Sequence, residues 1–205
     1  EMARLDGKVA LITGAGAGLG AQIARRFKEE GAQLVINDIS DDAAQRLAEE
    51  VGGIGIAADV ADSKAVRAMF EQVQSEIGHL DILVNNAGFA FKPGDEELIN
   101  RVNEVPLKQQ AEIQAGGPIE THMDVTVEMT DEDWHRMISV HLDGTFFCSR
   151  EALKMMNPQL SGCIINMGSI MGTSGGAGVP HYCAAKAGIL GLTRALAREL
   201  TSRKI

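Results

Sequence analysis

A short apolar run, residues 9–13, ends directly in Thr13-Gly14-Ala15-Gly16-Ala17-Gly18-Leu19-Gly20. Residues 18–30 then take up a helical period, with Leu19, Ile23, Ala24 and Phe27 on one face and Gly31 as a stop. Strand, glycine-rich turn and helix in that order is a narrow specification. Glycines let the backbone turn tightly and approach a pyrophosphate closely. The helix N-terminus adds free N–H groups and a partial positive charge. An isolated glycine motif is weak evidence, so its context decides. Asp38 supplies that context, twenty residues after Gly18 at the end of the next apolar run. A carboxylate there accepts hydrogen bonds from a ribose 2′-hydroxyl and repels a 2′-phosphate. No Arg or Lys lies in the turn or beside Asp38, so these residues favour NAD over NADP.

The alternation continues down the chain. Residues 34–36, 54–58, 82–84 and 163–166 read as further strands. A helix is expected to start after Ser40, which caps it while Asp41 and Asp42 suit the dipole, and another over 62–77. A long helix begins at Thr130, which with Asp133 forms a capping-box-like start, and is expected to run to about Met156, before Pro158. A last helix covers 180–202. Strands followed by helices predict an α/β fold: a Rossmann-like doubly wound parallel sheet in a three-layer α/β/α sandwich. The strand runs lack period-two alternation, as expected where both faces are covered. The 205 residues, 45% of them apolar, suffice for a single domain spanning 1–205.

Residues 89–129 break the rhythm. They are charged, with Pro93, Gly94, Gly116, Gly117 and Pro118 as breakers, and 95–114 has helical character. A stretch this long in a compact domain is usually functional or mobile.

Several function classes drop out. The net charge of −9 and 4% aromatic content argue against a nucleic-acid surface. No run of 18 apolar residues is present, so no membrane span is expected. Cys148, Cys163 and Cys183 form neither a disulfide framework nor a zinc site, and no metal site is expected. No apolar leader is visible, which predicts a cytoplasmic protein.

Chemistry gathers at the strand ends. Asp59 follows the third strand, and Asn85-Asn86-Ala87-Gly88 follows the fourth. In a doubly wound sheet, ligands lie outside the carboxyl ends of the strands. Tyr182 is the one tyrosine, and Lys186 is four residues on, so a helix places both on one face. A free tyrosine ionises near pH 10, and a neighbouring ammonium favours the phenolate, which makes the pair a candidate general acid/base. Ser169, just after the fifth strand, can hydrogen-bond the same substrate oxygen. The segment 170–180 is small, apolar and free of Arg and Lys, which suits an apolar secondary alcohol or ketone.

These residues resemble the short-chain dehydrogenase/reductase family, classical branch. Its Thr-Gly-x-x-x-Gly-x-Gly turn matches Thr13 to Gly20, its Asn-Asn-Ala-Gly matches Asn85 to Gly88, and its Tyr-x-x-x-Lys matches Tyr182 to Lys186. Its serine lies thirteen residues before the tyrosine, as Ser169 does. The resemblance is to 3-oxoacyl reductase-like enzymes and secondary-alcohol dehydrogenases. It implies hydride transfer between a nicotinamide and a carbonyl/alcohol pair. It makes Tyr182 the proton donor or acceptor, with Lys186 tuning it and binding the nicotinamide ribose, and Ser169 orienting the substrate. It assigns the phosphate turn to Gly14, Gly18, Leu19 and Gly20, the adenine to Asp59 and Val60, and the adjacent ribose region to Asn86 and Gly88. It also implies a homotetramer built on the helices over 130–156 and 180–202.

The chain departs from that family at three places. Val140-His141-Leu142 carries histidine where the family has asparagine; His141 holds a relay water or packs the helix. The gap between Asn86 and His141 is roughly thirty residues longer than the family's, which makes 89–129 an insertion on the active-site side: a substrate-pocket wall or an oligomer contact. The family's next strands and substrate lid have no counterpart before Ile205. Two rival readings are a non-catalytic NAD-binding regulatory protein and a nucleotide-sugar epimerase of the extended branch.

Overall fold

The computed structural model describes residues 3–91 and 94–205. Pro93, one of the expected breakers, lies outside them. Five strands form one parallel sheet: β1 (Val9–Ile12), β2 (Gln33–Asp38), β3 (Ile54–Ala57), β4 (Ile82–Asn85) and β5 (Cys163–Asn166). Their order is β3-β2-β1-β4-β5, with every pair parallel. The direction in which successive strands are added reverses between β1 and β4. That switch point is where a doubly wound sheet opens a ligand crevice.

Both faces of the sheet are covered. On one, Leu11, Val35 and Leu83 pack against helix α3 (Ser63–Glu76) through Val66, Met69 and Phe70, and against α7 (Gly144–Gln159) through Cys148, Ala152 and Met156. On the other, Ile12, Leu34, Ile36 and Val84 meet α1 (Gly18–Glu29) through Ala21 and Ala24, and α2 (Asp41–Val51) through Leu47, Ala48 and Val51. Each fully buried Val, Leu or Ile contributes about 1.5–3 kcal/mol of transfer free energy. β5 differs from the other strands. It borders β4 only, and Ile165 is 39% exposed, so its faces alternate instead of both being buried.

The helix starts follow their caps. Ser40 Oγ accepts from Ala43 N, Asp62 from Lys64 N and Thr130 Oγ1 from Asp133 N. Two helical expectations change. The face of α1 is set by Gly20, Ala21 and Ala24, while Leu19 is 58% exposed. The helix expected over 130–156 is three pieces: α6 (Asp131–Ile138), a π-turn (Ser139–Asp143) and α7, which runs through Pro158 to Gln159. Pro158 is tolerated because it falls in the last turn, where it forfeits few helical hydrogen bonds. The π-turn shifts the helix register by one residue at His141, a device common at functional sites.

The 89–129 insertion is largely helical. It holds α4 (Glu96–Ala115), capped by Asp95, and a single turn α5 (Val125–Glu128). Arg101 of α4 ties the two by an ion pair to Glu128 and also pairs with Glu97 one turn back in its own helix. Glu112 accepts hydrogen bonds from Glu120 N and Thr121 N, fastening the return segment to α4. The insertion sits over the loop between α8 (Met171–Ser174) and α9 (Pro180–Leu200): a Cβ on Gly178 would lie 2.6 Å from Val102 Cγ2 and 3.3 Å from Met123 Sδ. A 3₁₀ turn, Thr201–Arg203, replaces the last residues of the expected final helix.

Candidate active site

The switch point is closed by reciprocal hydrogen bonds. Thr13 Oγ1 accepts from Asn86 N and Ala87 N, both at 3.1 Å, and Asn86 Nδ2 donates to Thr13 O and Gly14 O, both at 2.9 Å. Gly14 stands at φ +59°, with Ala87 Cα 2.6 Å from where a Cβ would be. Backbone thus meets backbone, and no side chain fits. Asn85 Nδ2 reaches Ser149 Oγ and Asn166 Oδ1, and Asn166 Nδ2 reaches Thr193 Oγ1. These links hold β4 and β5 to α7 and α9.

The glycine turn fits a phosphate. Ala17, at the N-cap of α1, has no side-chain cap, so the first N–H groups of the helix are free of one. Gly18 faces open space, while Gly20 is buried beneath Asn86. Beside the turn is a pocket of about 220 Å³, lined by Gly14, Asp38, Asp59, Val60, Gly88 and Arg136 among others. Asp38 Oδ2 accepts from Gly16 N and its Oδ1 from Ser40 N, both at 3.0 Å. Asp59 Oδ1 accepts from Ala61 N, and its Oδ2 pairs with Arg136 at 3.4 Å. The strand itself stops at Ala57, so Asp59 sits in the turn beyond it. Arg136 adds a basic residue to this pocket that sequence proximity to the turn or to Asp38 does not reveal: it reaches Asp59 from α6.

Next to this pocket is a cleft lined by Leu19, Asn86, Gly88, His141, Tyr182 and Lys186, with Phe89, Met167 and Gly168. Lys186 is only 6% exposed. Its Nζ donates to Met167 O at 2.6 Å and lies 5.6 Å from the Tyr182 ring centroid. Burial lowers its pKa. Ser169 is not among the residues lining this cleft. It is half-buried, and its Oγ accepts from Met171 N at the start of α8. Its neighbours Met167 and Gly168 line the cleft in its place.

His141 is 2% exposed and packs edge-on against Tyr182, with ring centroids 5.5 Å apart. Its Nε2 lies 3.0 Å from Phe89 N and 2.8 Å from Phe89 O, and the tautomer decides which bond it makes. A Cβ on Gly88 would lie 2.3 Å from His141 Cε1. Burial, then the Lys186 ammonium, push its pKa down to about 4. This geometry supports the packing alternative for His141.

Comparison with known proteins agrees with the fold and the motifs. The short chain dehydrogenase family profile matches residues 8–205. The chain belongs to the short chain dehydrogenase family. Its members are oxidoreductases that bind a nicotinamide cofactor. The 3-oxoacyl-(acyl-carrier-protein) reductase of Vibrio harveyi is 34% identical over 203 residues, 98% of this chain and 70% of that protein. The protein of the same name from Staphylococcus aureus (strain Mu50) is 36% identical over 204 residues, covering 97% and 70%. A solved structure titled ribose-5-phosphate isomerase, from Brucella melitensis, superimposes with a TM-score of 0.78 at 26% identity, covering 100% of this chain and 67% of that one. A dehydrogenase fold under an isomerase title carries no functional argument, because function lives in the site. No helix among the described residues is long and apolar enough to cross a membrane, and no metal-binding cluster occurs among them.

Phe89, Arg136 and His181 line these spaces without having been singled out from the sequence. Leu19, assigned to the phosphate turn and also placed on the apolar face of its helix, is 58% exposed and lines the cleft. Phe89 follows the Asn-Asn-Ala-Gly motif directly, which is a usable signal. Arg136 and His181 carry none.

Proposed function

We propose that the protein is an NAD(H)-dependent oxidoreductase that moves a hydride between the nicotinamide and a secondary alcohol or ketone, with Tyr182 as general acid/base. One observation carries this reading. Tyr182 and Lys186 line one cleft, and Gly88 and Phe89 are shared between that cleft and the pocket that holds Asp38. A dinucleotide laid along the glycine turn spans both. The relatives' names, reductases of a 3-oxoacyl group, support a ketone/alcohol pair.

The roles follow from chemistry. The nicotinamide, when bound, supplies the hydride acceptor or donor. The Tyr182 hydroxyl takes or returns the proton of the substrate oxygen. The Lys186 ammonium, held in a low-dielectric wall, stabilises the phenolate and is placed to bind a ribose hydroxyl. Ser169 orients the substrate oxygen once its hydroxyl turns from Met171 N. Gly14, Gly18, Leu19 and Gly20 hold the pyrophosphate, Asp59 and Val60 the adenine, and Asn86 and Gly88 the ribose beside the nicotinamide. We read residues 1–205 as one dinucleotide-binding and catalytic unit. A homotetramer contacting through the helical stretch over 130–156 and the last helix, α9, and a cytoplasmic setting, complete the proposal. The exposed Phe146 on α7 and the free thiols of the described cysteines support these two points.

Asp38 decides the cofactor. Its carboxylate is the group nearest the turn, and Arg136 is held at Asp59. Asp38→Ala is expected to weaken NAD by roughly tenfold, the value of one charge-assisted hydrogen bond, and to raise relative use of NADP. KM values for both cofactors, measured in parallel, check this. An unchanged NAD/NADP ratio would remove Asp38 from the cofactor site.

A further inference from the structure

A second cavity, about 220 Å³, lies beneath the insertion. It has room for about seven waters at ~30 Å³ each. Phe89 lines it, and the same residue lines both the Tyr182 cleft and the Asp38 pocket, so the three spaces meet around its ring. Most of the remaining wall comes from α4 and α5: Asp95, Leu98, Arg101 and Glu128. The inner wall includes His181, the residue before Tyr182. His181 is 7% exposed, and its Nδ1 is buried with no hydrogen-bond partner.

The geometry points to this cavity as the subsite for the distal end of a small polyhydroxylated substrate. The inference rests on the dehydrogenase reading and names its substrate class. The wall holds both acceptors and donors: the carboxylates of Asp95, Glu97, Glu128 and Asp133 accept, and the guanidinium groups of Arg101 and Arg136 donate. Both guanidiniums are committed to carboxylates, Arg101 to Glu97 and Glu128, and Arg136 to Asp59. An anionic group would therefore have to displace an ion pair. A neutral imidazole has one donor and one acceptor nitrogen. An ammonium group only donates and a carboxylate only accepts; a hydroxyl does both. An alkyl chain would strip water from these charged groups without replacing its hydrogen bonds. The apolar substrate expected from 170–180 is thereby replaced by a polar one, because the insertion adds a wall that segment does not reveal.

The test is NADH formation with matched five-carbon substrates: a pentitol, the secondary pentanol, the hydroxypentanoate and the aminopentanol. The pentitol is expected to lead the others by about tenfold or more in kcat/KM, the value of one or two hydrogen bonds. Leu98→Trp fills the cavity, and Asp95→Asn removes one charge while keeping the cap of α4. Both are expected to lower kcat/KM for the pentitol about tenfold more than for the pentanol, mainly through KM. Calorimetric binding of the pentitol to the NAD-loaded protein and to its Leu98→Trp variant reads the subsite without turnover. Preference for the pentanol, hydroxypentanoate or aminopentanol, or a ratio that Leu98→Trp does not move, overturns the inference while leaving the dehydrogenase reading intact. Pentitol binding that Leu98→Trp abolishes, with no alcohol oxidised, supports the subsite and overturns the dehydrogenase reading instead. Absence of both turnover and binding overturns both.

Discussion

Tyr182→Phe is expected to cut turnover by roughly 10²–10⁴-fold, the usual worth of a general acid/base, with NAD affinity unchanged. The cleft explains why no neighbour can substitute. Its other titratable side chains are Lys186 and His141. The Lys186 ammonium already donates to Met167 O, and as a cation it stabilises a phenolate rather than replacing it. The His141 imidazole commits its Nε2 to the Phe89 backbone, and its Nδ1 is buried with no hydrogen-bond partner. The variant loses one hydroxyl and no volume, so packing against His141 is retained. Initial rates of NADH formation at 340 nm, with NAD binding followed by calorimetry on both proteins, separate chemistry from binding. Turnover within threefold of the parent would move the proton transfer to another group. A parallel loss of NAD affinity would mean that Tyr182 holds the cofactor rather than the proton.

The architecture was legible because it depends on local signals. The apolar runs that became β1, β2 and β4 each end in glycine, asparagine or aspartate. Two of the helices that cover those strands, α2 and α3, have visible caps at Ser40 and Asp62. The glycine turn, Asp38, Asn86, Tyr182 and Lys186 were legible for the same reason: each sits at a strand end or on one helix face, positions that spacing fixes. Three features were not. The π-turn at 139–143 interrupts a sequence whose helical period continues through it, and the extra residue per turn is absorbed by tertiary packing around His141. Arg136 enters the Asp59 pocket from α6, 77 residues further along the chain. Leu19 counts as apolar in any periodicity, yet α1 buries small residues so that it can approach the sheet closely, and Leu19 is left facing the cleft. In each case the deciding contact joins residues distant in sequence.

His141 gives the second large effect, and it is one of stability. The folded protein keeps this imidazole neutral down to about pH 4, whereas a histidine in the unfolded chain protonates near 6.5. Between these values the unfolded state binds a proton that the folded state excludes, so folding weakens as pH falls. The contribution is fully present above about pH 6.5, declines through the window by about 1.4 kcal/mol per pH unit, and levels off below about pH 4. Its sum is of order 3 kcal/mol. His141→Asn removes the titration but also the bond to Phe89, worth about 1 kcal/mol. The variant is therefore expected to be the less stable protein at pH 7 and the more stable one at pH 4.5. Urea unfolding of both proteins at intervals from pH 7 to 4.5 checks this, and the crossing of the two curves is the decisive feature. His181, also lowered by burial, is common to both and cancels in the difference. A gap that stays constant with pH would show that the buried ring is charged or exchanges with solvent. Lys186→Met tests the cause. With the ammonium gone, the second-ranked contribution to the depression disappears, and the acid-linked loss should shrink. The same burial that makes the fold acid-sensitive serves the chemistry. A neutral ring beside Tyr182 leaves Lys186 as the only cation lining the cleft among the described residues, so in the proposed reaction a Tyr182 phenolate would have one charge partner there, on its own helix.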